Sequence, residues 1–375
     1  MSRPQRSGCP STLAESRYNT ASIESHPAIR NAMFLTLSMR TLTLTLMLLA
    51  IPAGIVTAAD KLPPAGTRPV PVRVESGEDQ LDIFIANHRF CRYVFRDKQI
   101  SRPYFAHLCT PSGTQVTRRH PPVEGEDATD HASYHPGLWT GFGDISGHDY
   151  WRLKAAVKHV EFLEAPRAGP GWASFTAAND YLAVDRTTTV CQERFTFVVL
   201  VRETGYLVLW ESVFLAAGKE VVFGDQEEMG LGVRVATPLA VDNGGRIVDS
   251  MGRVDGKGIW GRQSNWCDYH GRIGKHLLGV TLMPHPDNFR PSWFHARDYG
   301  LVVANPFGRN AFTKQEKSRF VVPVKQPLRL RFAIHLHSQP HSVGAVLPTV
   351  EQMGRQRERA YQDYLKILHS GGGVR

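Results

Sequence analysis

Apolar and polar residues alternate along much of the chain with a period of two. The clearest stretches are residues 81–85, 91–95, 195–201, 206–210 and 328–337. Successive side chains of a strand point to opposite faces, so this alternation predicts strands with one apolar face each. In the last stretch, every second residue from Leu328 to Leu336 would face the core. The opposite face, with Arg331, His335 and His337, would be either the wall of a pocket or a solvated surface.

Turn-forming residues separate these runs, and a single helix is predicted near the end. The chain has 33 glycines and 24 prolines, which is expected where tight turns join many strands. The helix would begin at Pro348 and end at about His369, before the glycines at 371–373. Its apolar stripe is Val350, Met353, Tyr361, Tyr364 and Leu365. The pattern therefore predicts an all-β fold, a large antiparallel β-sandwich (supersandwich-like) with a C-terminal helix packed on it.

The first 59 residues have the pattern of an export leader. Residues 41–55 are an apolar run behind Arg40, and small residues follow at Thr57, Ala58 and Ala59. A positive start, a short apolar run and a small-residue exit are typical of a signal peptide. The run is shorter than the roughly 20 residues of a membrane span, and an uncleaved N-terminal anchor is the alternative. We expect cleavage near Ala59 and a periplasmic or secreted protein.

The rest of the chain is predicted to form one domain. Residues 60–80 are rich in proline and charge, which predicts a linker. Residues 81–345 would form the β-sandwich, and residues 346–370 the terminal helix. All-β domains of about 200–250 residues commonly stay single. No stretch after the leader is long and apolar enough for a bilayer, so we expect no membrane span once the leader is removed.

Composition and charge limit the classes of partner that are expected for this protein. Charged residues are 21% and hydrophobic residues 42% of the chain, an ordinary globular mix. The net charge of +9 has no long run of lysine or arginine behind it, so nucleic acid is not an expected partner. Cysteines outside the leader are widely spaced, without a Cys-x-x-Cys motif, which argues against a zinc knot or a redox pair. They are Cys91, Cys109, Cys191 and Cys267. Export permits a disulfide, and buried free thiols are the alternative.

The first cluster of chemistry-bearing residues lies at 129–151, among glycines and a proline that predict a loop. His131 and His135 are four residues apart, but Pro136 and Gly137 argue against a helical pair of metal ligands. A metal site would also need a third ligand from elsewhere. We therefore assign no metal ligands. The alternative to a functional role is that these side chains only shape the loop through hydrogen bonds.

An acidic run at Asp225–Glu228 precedes the glycines before Arg234. Two close carboxylates raise the pKa of one of them, which can keep a general acid protonated at neutral pH. The alternative is a solvated acidic turn in which Arg234 pairs with one of the acids.

Two further predicted loops, residues 260–270 and 283–308, combine aromatic residues with Arg, Asp, Asn and His. The C–H faces of a sugar stack on aromatic rings, and its hydroxyls take paired polar partners. The predicted substrate-binding residues are Trp139, Arg234, Trp266, Arg297, Asp298, Tyr299 and Asn305. The alternative for any single tryptophan here is a place in the core.

These segments resemble a bacterial family of unknown function that carries the label methane oxygenase PmoA (PmoA-like) and is common in gene sets for polysaccharide use. The likeness runs in order over about residues 80–340. It is carried by Ser101–Phe105, Pro111–Gly113, Asp130–Trp139, Gly143–Asp144, Asp149–Trp151, Glu228–Arg234, Trp266–Tyr269 and His295–Gly308. Some relatives have Asp-His-Pro-His-His-Arg-Gly in the first loop. This chain has Asp-His-Ala-Ser-Tyr-His-Pro-Gly at 130–137, so any role of that arginine does not carry over.

The resemblance implies a β-sandwich and a role in glycan catabolism. It does not imply methane oxidation, because the particulate enzyme of that name implies a membrane-embedded subunit with copper. Membrane embedding needs several apolar runs of about 20 residues, and residues 60–375 contain none.

We therefore expect an exported carbohydrate-active protein that acts on glycans or sugar derivatives, of hydrolase, lyase or epimerase type. His131 or His135 with Asp130, together with His295, would provide a general base and acid. Arg234 and Arg297 would hold substrate oxygens or a carboxylate. A non-catalytic glycan-binding protein and a metal-dependent oxidoreductase are the alternatives, and no cofactor is indicated.

The histidines are also expected to meet in space. Loops rich in His, Asp, Arg and Trp cost stability unless each polar group finds a partner. Loops of a sandwich gather at its ends or over one face, where distant segments can meet. We therefore expect His131, His135 and His295 around one pocket with Trp139 and Arg297.

Overall fold

The computed structural model of the protein describes residues 70–340 and 349–369. The predicted leader, most of the predicted linker and residues 341–348 lie outside the described residues, so the signal peptide stays a prediction. Residues 72–76, within the predicted linker, form a strand that pairs with residues 81–85. Neither described range contains a helix that is long and apolar enough to cross a bilayer.

Strands dominate the secondary structure. In chain order they are β1 (Val72–Ser76), β2 (Gln80–Ile85), β3 (His88–Val94), β4 (Tyr104–Ala106), β5 (Leu138–Phe142), β6 (Ala156–Gly169), β7 (Trp172–Leu182), β8 (Thr189–Arg202), β9 (Gly205–Ala216), β10 (Val221–Phe223), β11 (Met229–Arg234), β12 (Arg246–Asp249), β13 (Arg262–Gln263), β14 (Cys267–Ile273), β15 (His276–Pro284), β16 (Trp293–Arg297), β17 (Leu301–Asn305), β18 (Phe320–Val322) and β19 (Leu328–Pro340). The α-helices are α1 (Asp255–Ile259), α2 (Arg309–Thr313) and α3 (Val350–His369), and the 3-10 helices are Thr237–Leu239 and Val241–Asn243.

The strands form two large antiparallel sheets. A nine-stranded sheet has the order β1-β2-β3-β4-β5-β11-β17-β16-β13, and an eight-stranded sheet has the order β12-β14-β15-β19-β9-β8-β7-β6. Strands β10 and β18 form a separate pair. In the nine-stranded sheet, β5 pairs with β11 and β11 pairs with β17, so segments far apart in sequence lie side by side.

The core lies between the inner faces of the two large sheets and is rich in aromatic rings. Tyr93 of β3 stacks on Phe175 of β7 at 4.9 Å between ring centroids, and Phe105 of β4 stacks on Phe197 of β8 at 4.8 Å. Such pairs contribute about 0.5–1.5 kcal/mol beyond the burial of their surface. The alternation predicted for β19 is confirmed, because Leu328 and every second residue to Leu336 are buried in this core. The prediction of an all-β sandwich with a C-terminal helix is confirmed.

The outer face of the eight-stranded sheet is covered by α3. Met353, Tyr361 and Tyr364 of the predicted apolar stripe are buried, and the two tyrosines pack in one cluster with Leu209 of β9 and Trp266. His335 and His337 lie beneath this helix and are buried. These two histidines on the outward face of β19 are therefore covered by the helix and are not part of the predicted pocket, while Arg331 on the same face is 22% exposed.

The four described cysteines are free thiols. Burial raises the pKa of the thiols of Cys91, Cys191 and Cys267 well above the usual range. Thiolate is the reactive form of cysteine, so these three thiols are inert packing groups. The disulfide alternative is not realised.

Candidate functional site

Five of the eleven predicted site residues lie on strands of the nine-stranded sheet, whereas the other six lie outside the strands, as the sequence had suggested. Trp139 is on β5, Arg234 on β11, His295 and Arg297 on β16, and Asn305 on β17. Their neighbours along each strand are buried in the core between the sheets. Because side chains alternate between the faces of a strand, these five point away from that core, onto the outer face of the sheet.

The strand register places two of the predicted residues on one line across this outer face. Trp139 is opposite Gly232, Gly232 is opposite Val303, and Val303 is opposite His295. Three strand spacings separate Trp139 from His295, which is roughly 14 Å. Gly232 carries no side chain, and a Cβ there would lie 3.1 Å from Cζ2 of Trp139. The indole therefore lies flat against the sheet.

A loop that carries Asp130, His131 and His135 covers this line of residues. The buried guanidinium of Arg118 fixes the loop by donating hydrogen bonds to backbone carbonyls, at 2.8 Å to Ala128, 2.6 Å to Asp130 and 3.0 Å to His135. A second buried arginine, Arg102, donates to the carbonyl of Tyr134 and to two carbonyls at residues 150 and 151. Both arginines thus have backbone carbonyls, and not acidic side chains, as their main partners, and these hydrogen bonds hold the loop in place.

Four rings form a stack in this region. Tyr299 stacks on His131, His131 on His135, and His135 on Trp139, with interplanar angles of 15°, 17° and 16°. The stack begins at the fully buried Trp139 and ends at Tyr299, and the side chain of His131 within it is 48% exposed. The two loop histidines and the strand tryptophan do come together as predicted.

Asp130 joins the loop to the sheet. Its carboxylate accepts hydrogen bonds from both terminal nitrogens of Arg234, at 2.8 and 2.7 Å. Burial alone would raise the pKa of Asp130, but the hydrogen bonds from Arg234 and His131 outweigh it and hold that pKa well below its usual range. The carboxylate is therefore ionised. Arg234 pairs with this acid, and not with the acidic run at 225–228.

His131 has one ring nitrogen engaged and one available. Its Nδ1 lies 2.8 Å from Oδ2 of Asp130. An ionised carboxylate can only accept, so in the neutral imidazole Nδ1 carries the hydrogen and Nε2 has the lone pair. No described residue bonds to Nε2. The backbone of His131 has a φ of 50°, in the left-handed region that non-glycine residues adopt at a conformational cost.

The other two predicted catalytic histidines are not suited to proton transfer near neutral pH. Burial, with smaller contributions from His131 and nearby arginines, lowers the pKa of His135 to about 2. Burial and Arg297 lower the pKa of His295 to about 4. Both nitrogens of His295 are engaged, because Nε2 accepts from Nε of Arg297 at 2.8 Å and Nδ1 donates to the Glu227 carbonyl at 3.2 Å. His295 therefore positions Arg297 and is not a general base.

A second cluster lies beside the ring stack on the same sheet face. The guanidinium of Arg297 donates to Glu227 at 2.9 Å and lies 5.6 Å from the ring centroid of Trp260. Glu228 pairs with Arg152 at 2.9 Å. The side chain of Arg297 is 41% exposed, so it is open to a ligand.

Tyr299 links the two clusters. Arg234 lies 4.6 Å from its ring centroid. Burial raises the pKa of the Tyr299 hydroxyl, while Arg234 and Arg297 both act against this rise. The Tyr299 hydroxyl therefore interacts with the positive charge of one arginine from each cluster. It stays protonated at neutral pH because its pKa is raised overall.

Three predicted residues have structural roles. Trp266 packs under α3 on the other sheet, with its indole N–H donating to Glu358 at 2.9 Å, so it does not join this site. Asp298 accepts from the backbone N–H of Gly256 at 2.7 Å, which anchors α1. Asn305 donates to the carbonyls of residues 226 and 227 and so fixes the acidic turn that carries Glu227.

The residues of the acidic run 225–228 have different roles, since Asp225 anchors a helix and Glu227 lies at the candidate site. Asp225 accepts backbone N–H groups of Asn310, Ala311 and Ser318, which anchors α2. Glu227 contacts both predicted residues of β16, although the sequence did not single it out from the run. Arg118 and Arg102 were also missed, because an isolated arginine gives no signal that its partners will be buried carbonyls.

Metal ligation finds no support in the described ranges, which contain no group of three or more His, Cys, Asp or Glu side chains placed to hold an ion. His131 and His135 stack face to face with ring centroids 4.8 Å apart, so their nitrogens do not converge on one point.

Residues 80–346 match the sequence profile of a family described as a family of unknown function (DUF6807). No curated protein matches the sequence. Among solved structures, the chain is similar to the heparan sulfate lyase HepC from Pedobacter heparinus, with a TM-score of 0.34 and 6% identity over 73% of this chain and 36% of the lyase. It is also similar to the galactosidase domain of the alpha-galactosidase-sucrose kinase AgaSK, with a TM-score of 0.35 and 7% identity over 73% of this chain and 42% of that one. The chain thus spans less than half the length of either protein.

Proposed function

We propose that this chain, which belongs to the DUF6807 family of unknown function, acts on glycans or sugar derivatives by proton transfer at the outer face of its nine-stranded sheet. The reaction would be of lyase or epimerase type, with His131 as the general base. The observation that carries the proposal is the Asp130–His131 pair, in which one ring nitrogen is held by a carboxylate and the other is available.

The neighbouring groups suit this chemistry. An ionised carboxylate on Nδ1 orients the imidazole and stabilises its charged form once Nε2 has accepted a proton. The partly exposed guanidinium of Arg297 could meet a sugar carboxylate, which makes the adjacent C–H more acidic by neutralising its charge. The protonated hydroxyl of Tyr299, stacked beside His131, could return a proton to the substrate.

Hydrolysis by two carboxyl groups fits less well. That mechanism needs one carboxyl kept protonated and a second kept ionised. The three carboxylates at the site, Asp130, Glu227 and Glu228, each lie within 2.9 Å of an arginine nitrogen. None of them is the isolated, buried acid that would protonate a leaving group.

His131→Asn is the sharpest test of the proposal. Asparagine tolerates the left-handed backbone of residue 131, so the loop should keep its shape while the base is lost. Purified protein is incubated with a panel of neutral and uronic-acid glycans, and products are followed by reducing ends, by ultraviolet absorbance of unsaturated sugars and by proton exchange with D2O. Turnover should fall by about 100-fold or more in the variant, the usual contribution of general acid–base catalysis, while glycan affinity stays close to that of the wild type.

His135→Phe is the matched control. A neutral ring is kept in the stack, so turnover should stay close to that of the wild type. Full turnover by the His131→Asn variant, or equal losses in both variants, would contradict the proposed role of His131.

A non-catalytic glycan-binding protein is the second candidate. The same site would bind sugars through Arg297 and the partly exposed rings of Trp260 and Tyr299. Binding without turnover of any glycan in the panel would favour this candidate. The two predicted sugar-stacking tryptophans, Trp139 and Trp266, are both buried, so they offer no open surface for it.

We also propose that the protein is exported, on the sequence pattern of residues 40–59. The secreted form should begin near Ala59 or Asp60 when its N-terminus is sequenced. A mature chain that retains residues 42–49 would contradict the proposal.

A further inference from the structure

A polar cavity of about 270 Å³ lies at the eight-stranded sheet, away from the site described above. It is lined by the β8–β9 turn, the end of β19 and the middle of α3. The lining residues are Glu203, Thr204, His335, His337, Ser338, Gln339, Gln356, Arg357 and Arg359. One water needs only about 10–15 Å³ of such space, so the cavity has room for a larger molecule.

The lining of this cavity includes the guanidinium of Arg357, a charged group that is rarely buried in proteins. Arg357 is only 4% exposed. Its Nε lies 3.1 Å from the buried carboxylate of Asp268. Neither this Nε nor Nη2, both of which are buried, forms a hydrogen bond with a described residue. A buried donor left unpaired costs free energy, so a ligand that supplies an oxygen would be favoured here.

Arg357 supplies positive charge to the buried carboxylate of Asp268, but the hydrogen bonds of that carboxylate come from other groups. The carboxylate accepts from His270 and His337, at 2.8 Å each, and from the hydroxyl of Thr281 at 2.6 Å. The acid is therefore well satisfied from three other directions. Arg359, exposed on the same helix, adds a second positive charge to the cavity lining.

His335 supplies the complementary group. Its Nε2 lies 3.0 Å from the carbonyl oxygen of Thr204. A carbonyl only accepts, so Nε2 carries the hydrogen and Nδ1 is an acceptor. Nδ1 is also buried and without a partner among the described residues. The residues that line the cavity therefore include one cation with two unpaired donors, Nε and Nη2 of Arg357, and one unpaired neutral acceptor, Nδ1 of His335.

We propose that this cavity binds a small oxyanion that also carries a hydroxyl, with the charged oxygen at Nη2 of Arg357 and the hydroxyl donating to Nδ1 of His335. A phosphate monoanion or a hydroxy acid has this chemistry. A fully ionised oxyanion such as sulfate lacks the donor. The proposal does not depend on the function proposed for the other sheet.

The first experiment compares phosphate with sulfate on the full chain. Thermal unfolding is followed at pH 6, where phosphate keeps at least one hydrogen, at matched ionic strength with sodium chloride as the reference. A ligand that binds only the folded state raises the Tm in a saturable way. We expect such a rise for phosphate and a clearly weaker one for sulfate. No saturable rise, or equal rises for both anions, would overturn the proposal.

The second experiment uses Arg357→Lys, which keeps a positive charge beside Asp268 but removes Nη2. Phosphate affinity should fall about tenfold or more, because a hydrogen bond to a charged group is lost. Arg355→Lys is the matched control, since Arg355 is exposed on the same helix and pairs with Glu351. Equal phosphate affinity in the two variants would overturn the proposal.

Hydrogen exchange on the wild-type chain tests the location without any variant. Phosphate should slow the exchange of backbone amides in α3 and at the end of β19, and not in β16. Protection confined to other elements would overturn the assignment even if Arg357→Lys failed to fold.

Discussion

Burial decides which of three similar side chains can act as a base. His131, His135 and His295 are all near carboxylates or arginines, and the sequence treats them alike. His135 and His295 are only 3% and 4% exposed, and their pKa values are lowered to about 2 and about 4. Of the three, only His131 combines exposure, an ionised partner and a free nitrogen. The sequence could not distinguish the three histidines, because the difference between them depends on burial.

Arg118 should be important for stability although it contributes nothing to the proposed chemistry directly. Arg118→Met removes hydrogen bonds to the carbonyls of Ala128, Asp130 and His135. Hydrogen bonds to charged groups are worth about 1.5–3 kcal/mol, so the free energy of unfolding should fall by about 3 kcal/mol. Urea denaturation measures it.

Arg119→Met is the control for that change. Arg119 is the next residue along the chain, but its side chain is 40% exposed; it pairs with the exposed Glu126 and with Asp127, which is 5% exposed. Pairs of a partly exposed cation contribute about 0–1 kcal/mol, so this variant should lose clearly less stability than Arg118→Met. If the two variants lost the same stability, the loop would not depend on the buried cation.

The strands that carry the candidate site were the hardest elements to predict. The predicted runs 195–201, 206–210 and 328–337 all lie within long strands, β8, β9 and β19, although β8 begins six residues before its run and β9 ends six residues after its run. In β5, β11 and β16 the outward positions hold Trp139, Gly232 and His295, so the usual contrast between apolar and polar faces is lost. These segments resemble loops in sequence because their outward positions lack the uniformly polar side chains of a solvated strand face. They are recognised as strands only in the structure, where they pair with strands that are distant in sequence.

The C-terminal helix should be required for the outer face of the eight-stranded sheet to stay closed. Tyr364 is 1% exposed and packs in the cluster with Trp266. Tyr364→Ala should lower the free energy of unfolding by about 3–5 kcal/mol, as for other large aromatic truncations, and should increase binding of a hydrophobic dye. Gln362→Ala, at an exposed position of the same helix, is the control and should do neither. Unchanged stability in the first variant would show that α3 covers nothing essential.

Across the whole molecule, the two sheets use their outer faces differently. The nine-stranded sheet leaves its outer face partly open, with charged side chains and stacked rings. The eight-stranded sheet is closed by a helix over buried histidines. This division could not be read from the sequence, since His295 and His335 occur in similar strand patterns.

Buried neutral histidines predict a loss of stability in mild acid. The pKa values of His295 and His337 are both lowered to about 4, against about 6.5 in an unfolded chain. As the pH falls below 6.5, the unfolded chain gains protons that the folded protein does not accept until about pH 4. Stability should therefore fall over this interval, by up to about 1.4 kcal/mol per pH unit for each histidine.

Urea denaturation at pH 7, 6 and 5 measures this slope. His337→Gln keeps a donor to Asp268 but cannot titrate, so its slope should be smaller by up to one proton. A free energy of unfolding that is constant or higher at pH 5 would contradict the expected sign.

The positive φ of His131 has a consequence for how this position would respond to selection. Glycine and asparagine adopt that backbone conformation more easily than histidine does. A library of substitutions at residue 131 that is sorted only for folded, soluble protein should therefore be enriched in Gly, Asn and Asp. The same library sorted for turnover should return histidine. Selection for folding and selection for turnover would then favour different amino acids at residue 131. This difference is expected of a side chain that is retained for its chemistry and not for its contribution to stability.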